Sequence, residues 1–234
     1  MELKGYLNSL IYRISVCFLR LRVFVQDKLG LTKSYQPNPF LLAESQSRSW
    51  RESSDRFDAI SHSLPQEALS CLDVGCNEGY FIFKMAERGG FCLGVDAGRN
   101  EIMVADALAK IHKINNVSFI NASVDPESAL RFPKFDVVIF LSVFHHLARH
   151  NGLDHAKATL ASLSAVCNKY MIFETGQPNE TGVSWADSLD FMLPDIKEWC
   201  ANLLLESGFR EVVVVGEHPA VYCDVPRYLF LATK

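Results

Sequence analysis

The 234-residue chain holds seven cysteines but no Cys-x-x-Cys pair. An odd number without paired spacing argues against a disulfide framework and for a reducing compartment. Basic charge is not in excess: 23 Lys and Arg face 27 Asp and Glu, a formal net charge of −4. That balance provides no global field to gather nucleic acid. No internal repeat or low-complexity tract appears, which excludes solenoids. A clean membrane span is missing too, because Arg13, Arg20 and Arg22 interrupt the apolar stretch over residues 7–25. Those arginines, with no small-residue cleavage site after them, also argue against a secretory signal. The dinucleotide fingerprint G-x-G-x-x-G is absent. His146, His150 and His155 cluster, but Gly152 breaks the helix between them and no Cys or acid has matching ligand spacing, so no metal is expected.

What is present is a core-forming composition, 49% apolar, in a length that suits one α/β domain with an appendage. The run Ser70-Cys71-Leu72-Asp73-Val74-Gly75-Cys76-Asn77-Glu78-Gly79-Tyr80-Phe81 reads as a buried strand, a glycine bend and a helix start. In this order a bend points backbone N–H groups and the positive end of a helix dipole at a ligand. The frame is Asp73-x-Gly75-x-Asn77-x-Gly79, with Asn77 in the middle position, where Asn tolerates turn conformations. An acid two residues before the first glycine suits a cationic group such as an amino-acid ammonium and repels a pyrophosphate. Asp96, 17 residues after Gly79, ends a second strand. An acid there accepts ribose hydroxyls, or else caps the helix that follows.

Apolar strands are expected at 71–74, 91–95, 117–120, 135–141, 170–173, 212–215 and 228–232. Helices are expected over 47–61, 78–88, 101–112, 153–166 and 195–206. Short apolar strands alternating with helices imply a parallel sheet covered on both faces. Residues 217–226 read as a loop, so the last two strands pair as an antiparallel edge hairpin. The expected fold is α/β, a seven-stranded, doubly wound, mostly parallel sheet spanning residues 65–234. Residues 1–64 form an N-terminal helical extension: an amphipathic helix over 7–25, a joint over 31–40 and a cap helix. The amphipathic helix, with Lys4, Arg13, Arg20, Arg22 and Lys28, either packs on its own domain or lies on an anionic membrane or a partner enzyme.

The acidic-G-x-G-x-G frame and the five β-α units closed by a hairpin resemble class I S-adenosylmethionine-dependent methyltransferases, a Rossmann-like family. The resemblance covers roughly residue 70 to the C-terminus. It implies S-adenosyl-L-methionine as cofactor, held by Asp73, Gly75, Cys76, Asn77, Gly79 and Asp96. It further implies an adenine contact at Asn121, Ala122 and Ser123, where many members carry an acid in place of Ser123. Phe140 and Leu141 would pass under the methionine arm or serve as core. Arg48 and Arg51 are candidates for the cofactor carboxylate. A hydroxyl acceptor needs a base. His145 and His146, after the fourth strand, are the first candidates, with His145 placed ahead, and Glu174 is another. Trp185, Phe191 and Met192 fall in an insertion that lines the acceptor pocket in the family.

The segments Ile139-Phe140-Leu141-Ser142-Val143-Phe144-His145-His146-Leu147 and Asp224-Val225-Pro226-Arg227-Tyr228-Leu229-Phe230-Leu231 are similar to the methyltransferase domains of bacterial O-antigen chain-terminating kinase–methyltransferases. With no room here for a kinase part, the likeness implies a lone O-directed methyltransferase for a glycan or other small polar acceptor. It would be cytoplasmic or peripheral at the inner face of the membrane, and Arg227 would either sit on an edge strand or bind an anionic acceptor through its planar fork. Rival readings are a non-catalytic S-adenosylmethionine-binding partner protein and a nicotinamide-dependent reductase. An RNA substrate is disfavoured by the acidic balance.

Overall fold

The computed structural model describes residues 35–37, 39–40, 53–220 and 223–234. The amphipathic helix expected over 7–25, the start of the cap helix, and Arg48 and Arg51 lie outside the described residues. The strands are β1 (Cys71–Val74), β2 (Cys92–Asp96), β3 (Val117–Asn121), β4 (Phe135–Leu141), β5 (Cys167–Glu174), β6 (Glu211–Pro219) and β7 (Pro226–Thr233). They form one sheet in the order β3-β2-β1-β4-β5-β7-β6. The first five are parallel, β7 runs antiparallel to β5, and β6 closes the edge antiparallel to β7.

Both faces of the sheet are covered, as the unbroken apolar strands require. On one face lie α1 (Ser54–Ser63) and α2 (Tyr80–Ala86). Their Phe57, Ile60, Phe81 and Met85 pack with Cys71, Val137, Ile139 and Leu231. The helix α3 (Arg99–His112) joins this layer through Ile102. On the other face lie the short α4 (Pro126–Ala129), then α5 (Phe144–Asn151), α6 (Leu153–Ala165) and α7 (Ile196–Glu206). Phe144, Leu160, Leu163 and Leu203 pack there on Leu72, Val138, Phe140 and Phe173. Each such side chain, fully buried, stabilises the fold by about 1.5–3 kcal/mol.

The order reverses at β1 and β4, and in such sheets ligands bind beyond the strand ends at that point. Among the described residues no helix is long and apolar enough to cross a membrane.

Three expectations need correction, and one further helix is added. The helix expected over 78–88 contracts to Tyr80–Ala86, because Gly79 takes a left-handed conformation with φ 87°. The loop expected over 217–226 is shorter at both ends, because β6 runs on to Pro219 and β7 starts at Pro226, with His218 opposite Arg227 and Pro219 opposite Pro226. Both His218 and Arg227 are buried, so this part of the hairpin carries no apolar pattern. The strand expected at 170–173 begins at Cys167, because Phe135 pairs with it across the sheet. Helix α4 was not anticipated, although Asp125 and Ser128 form a capping box with Pro126 at the first turn.

Candidate active site

The bend after β1 takes three left-handed residues in alternation: Gly75 (φ 83°), Asn77 (φ 51°) and Gly79 (φ 87°). Asn is among the few non-glycine residues that adopt this region readily, which explains its place in the middle. A Cβ on Gly75 would stand 2.3 Å from Val143 Cγ2, and one on Gly79 would stand 2.9 Å from Phe119 Cε1. Gly75→Ala therefore combines backbone strain with a clash at the mouth of β4. We expect it to lower the melting temperature and to weaken cofactor binding at least tenfold, measured by thermal shift with and without S-adenosylhomocysteine.

The bend does not offer its N–H groups to a ligand as its sequence implied. The Gly75 and Cys76 N–H groups donate to Val95 O at 2.8 and 3.2 Å, and Gly79 N–H donates to Cys76 O at 2.9 Å. Asn77 N–H donates to Asp96 Oδ2 at 2.8 Å. The bend thus contributes shape and close approach, and it lacks the open donor cradle that a pyrophosphate needs.

Beyond the bend lies a cavity lined by Tyr35, Gln36, Arg56, Asp73, Gly75, Asn77, Phe81, Asp96, Leu141, Ser142, Val143 and His146. Six of the expected site residues meet here: Asp73, Gly75, Asn77, Asp96, Leu141 and His146. Asp73 is buried at the end of β1, and its Oδ2 has no hydrogen-bond partner. Burial, then the nearby Asp96 charge, raise its pKa to about 8, while Arg56 pulls the other way. A buried carboxylate oxygen left unsatisfied in a cavity is costly unless a cation arrives. Asp96 accepts from Asn77 N–H and, at 2.7 Å on Oδ1, from Gly98 N–H. Each carboxylate oxygen keeps lone-pair capacity for a further donor. These residues fit a ligand carrying an ammonium and a diol.

The other expected residues stand elsewhere. Cys76 is sealed beneath the bend, with burial raising its thiol pKa. Gly79 caps α2 behind the bend. Phe140 is fully buried on the opposite face of β4, its ring 6.1 Å from that of Phe173, so it is core and only Leu141 reaches the cavity. Asn121 pairs with Asp96 across the β2–β3 ladder, and its amide donates to Asp96 O and Ala97 O. Ala122, half-buried against the core, and the exposed Ser123 follow it; none of the three lines the cavity.

The two imidazoles have different situations. His145 is buried, and its Nδ1 accepts from Gly176 N–H at 2.9 Å. That contact ties α5 to the segment after β5 and leaves His145 outside the cavity wall. His146 lines the cavity, its ring 4.1 Å from that of His145 and 5.4 Å from that of Trp185. Its pKa is lowered, first by burial and then by the charges of His150, Arg227 and Arg149, so it is neutral near pH 7.

Glu174 is not an open base. It is completely buried, accepts from Ser142 Oγ at 3.0 Å, and pairs with Arg56 at 3.5 Å and with Arg227 at 3.8 Å. Arg227 in turn holds Glu180 through two bonds of 2.7 Å and donates to Ser142 Oγ at 3.1 Å. Its fork is therefore committed and does not face an anionic acceptor. Ser142, at φ 60°, joins Glu174 and Arg227 at the cavity wall. Arg56, Ser142, Glu180, Tyr35 and Gln36 were missed from sequence. Arg56 stands on a polar-faced helix, and nothing local separates it from a solvated arginine.

A family model described as a methyltransferase domain matches residues 65–207. The O-antigen chain terminator bifunctional methyltransferase/kinase WbdD of Escherichia coli is 29% identical over 181 residues, covering 77% of this chain and 24% of that protein. The solved bifunctional kinase-methyltransferase WbdD superposes with a TM-score of 0.71 at 25% identity, over 87% of this chain and 44% of that one. The tRNA U34 carboxymethyltransferase of Helicobacter pylori (strain Shi470) is 30% identical over 58% of this chain and 52% of its own length. The ubiquinone biosynthesis O-methyltransferase of Salmonella newport (strain SL254) is 27% identical over 63% of this chain and 62% of its own. This chain thus spans about a quarter of the length of the curated WbdD protein. The family match covers the five parallel strands, β1 to β5, and the fold carries the mostly parallel sheet and antiparallel edge hairpin expected of the family. The chain belongs to the methyltransferase-domain family, as a class I, S-adenosylmethionine-dependent member.

Proposed function

We propose that the cavity seats S-adenosylmethionine and that the chain transfers its methyl group to a hydroxyl of a small polar acceptor, with a glycan as the favoured class. The observation that carries this reading is the unsatisfied Oδ2 of Asp73, facing the same cavity as the imidazole of His146. Asp73 takes the ammonium, and Asp96 accepts the ribose hydroxyls through its remaining lone pairs. Gly75 and Asn77 allow close approach, and Leu141 packs on the methionine arm. Asn121, Ala122 and Ser123, next to Asp96, supply the adenine side. Arg56 brings a cation to the end of the site that receives the methionyl carboxylate.

Bound there, the donor would supply a methyl group activated by the positive charge of its sulfur, which would keep the bonding electron pair as the methyl passes to oxygen. The protein's task is alignment and removal of the acceptor's proton. His146 accepts that proton from the attacking hydroxyl. Its lowered pKa keeps it ready, so the acid limb of the rate profile should fall below the ordinary imidazole range.

The glycan class rests on the likeness to WbdD, whose name describes an O-antigen chain terminator. The basic, amphipathic pattern of residues 4–28 supports a cytoplasmic station beside an anionic membrane surface. Residues 1–64 are read as an N-terminal extension, of which Tyr35, Gln36 and Arg56 line the cavity, and 65–234 as the transferase domain.

The test is a screen of glycan acceptors with methyl-labelled S-adenosylmethionine. His146→Ala should reduce methyl transfer by about 100-fold or more while S-adenosylhomocysteine binds as to the parent. Undiminished transfer by His146→Ala would remove this residue from the reaction.

A further inference from the structure

The loop between β5 and α7 is anchored at two points outside the cavity. His145 accepts from Gly176 N–H, and Glu180 receives both Gln177 N–H at 2.8 Å and the fork of Arg227. Glu180, Arg227 and Gln177 are all buried. The anchored loop carries Trp185, whose ring lies against both His145 and His146 and 6.0 Å from the Arg227 guanidinium. Gly176 admits this packing: a Cβ there would stand 2.9 Å from both His145 Cγ and Trp185 Nε1. Through Ser142, Arg227 also touches the cavity wall.

We propose that Glu180 and Arg227 are positioning residues, a buried latch that holds the Trp185 loop on α5 and fixes the orientation and charge state of His146. The proposal rests on the reading that His146 receives the acceptor's proton. A buried ion pair is weak evidence for stability alone, because desolving both charges offsets most of their attraction. Here the pair spans the loop and the last strand, 47 positions apart, and sits behind the imidazole that faces the cavity.

The charges around His146 come from several elements. His145, Arg149 and His150 lie on α5, Arg227 on β7, Glu174 on β5, and Glu180 in the loop. Across the cavity stand Arg56, Asp73 and Asp96. After burial, His150, Arg227 and Arg149 disfavour the imidazolium, in that order. Glu180 neutralises Arg227 in part. Removing the acid should therefore lower the His146 pKa, and removing the cation should raise it. A purely structural role has no reason to give opposite signs.

The experiment is side-chain NMR titration of His146 in the full chain, assigned by His146→Gln. S-adenosylhomocysteine binding serves as the control for an intact fold. Glu180→Gln should shift the titration down, and Arg227→Gln should shift it up, each by about one pH unit. Arg227→Lys keeps the charge and should leave the titration near that of the parent. It decides the matter together with Glu180→Gln where Arg227→Gln fails to fold. Shifts of the same sign in both Gln variants, or an unmoved His146 in Glu180→Gln, would overturn the latch. Loss of S-adenosylhomocysteine binding by the parent would instead overturn the cofactor reading, so the two failures are separable.

Discussion

Asp73→Asn should weaken S-adenosylhomocysteine binding at pH 8 by about 100-fold, the loss of a charge-assisted bond in a dry site. The same substitution should stabilise the ligand-free protein at that pH. Asp73 is buried, with its pKa raised to about 8 by desolvation and by Asp96. The folded, ligand-free state therefore holds a proton that the unfolded chain releases near pH 4. The stability that this proton confers is complete below that pH. It declines by up to about 1.4 kcal/mol per pH unit as pH rises toward 8. Asn removes the decline, so parent and variant melting temperatures should diverge between pH 5 and 8 in the variant's favour, by about that slope. Cofactor binding reverses the sense. An ammonium beside Asp73 favours the ionised carboxylate, so binding at pH 7 should release about one proton, read by calorimetry in buffers of different ionisation enthalpy. The variant should release none. A site kept unstable for its ligand is a familiar cost of function.

Glu180→Ala should destabilise the fold by about 3–5 kcal/mol, because it removes both close charged bonds of the buried Arg227 guanidinium and leaves it only Ser142 Oγ and the longer contact with Glu174. Glu180 meets that guanidinium with two bonds of 2.7 Å and accepts Gln177 N–H besides. With a typical total of about 5–15 kcal/mol, such a loss brings the chain near its unfolding threshold. Denaturant unfolding should show the midpoint falling with an unchanged slope. The exposed pair Lys110–Asp106 is the contrast. Its removal should cost under about 0.5 kcal/mol.

Much of this molecule is legible from its sequence because its strands are continuous apolar runs and its bend has a fixed frame. Asp73, Gly75, Asn77 and Asp96 stand within 24 residues and meet through adjacent parallel strands, so local pattern suffices to bring them together. What stays hidden is of two kinds. One is facing: β4 is apolar on both sides, so its sequence cannot tell that Leu141 reaches the cavity while Phe140 enters the core. The other is distance along the chain. Arg56 meets Glu174 across 118 positions and Arg227 meets Glu180 across 47. No periodicity records such pairs, and each residue alone reads as a solvated charge. Those pairs turn Glu174 from a candidate base into a buried counter-ion, and they take Arg227 away from the acceptor. The choice between adjacent imidazoles was equally non-local: the Gly176 N–H claims His145 and leaves His146 to the cavity.

The central claim is that one cavity, walled by Asp73, Gly75 and Asp96, is the cofactor seat. Equilibrium titration of the full chain with S-adenosylhomocysteine, parent and Asp96→Ala side by side, tests it most directly. The parent should bind at micromolar level, roughly −8 kcal/mol, and the variant about 100-fold more weakly. Equal affinity in the two proteins would contradict the assignment.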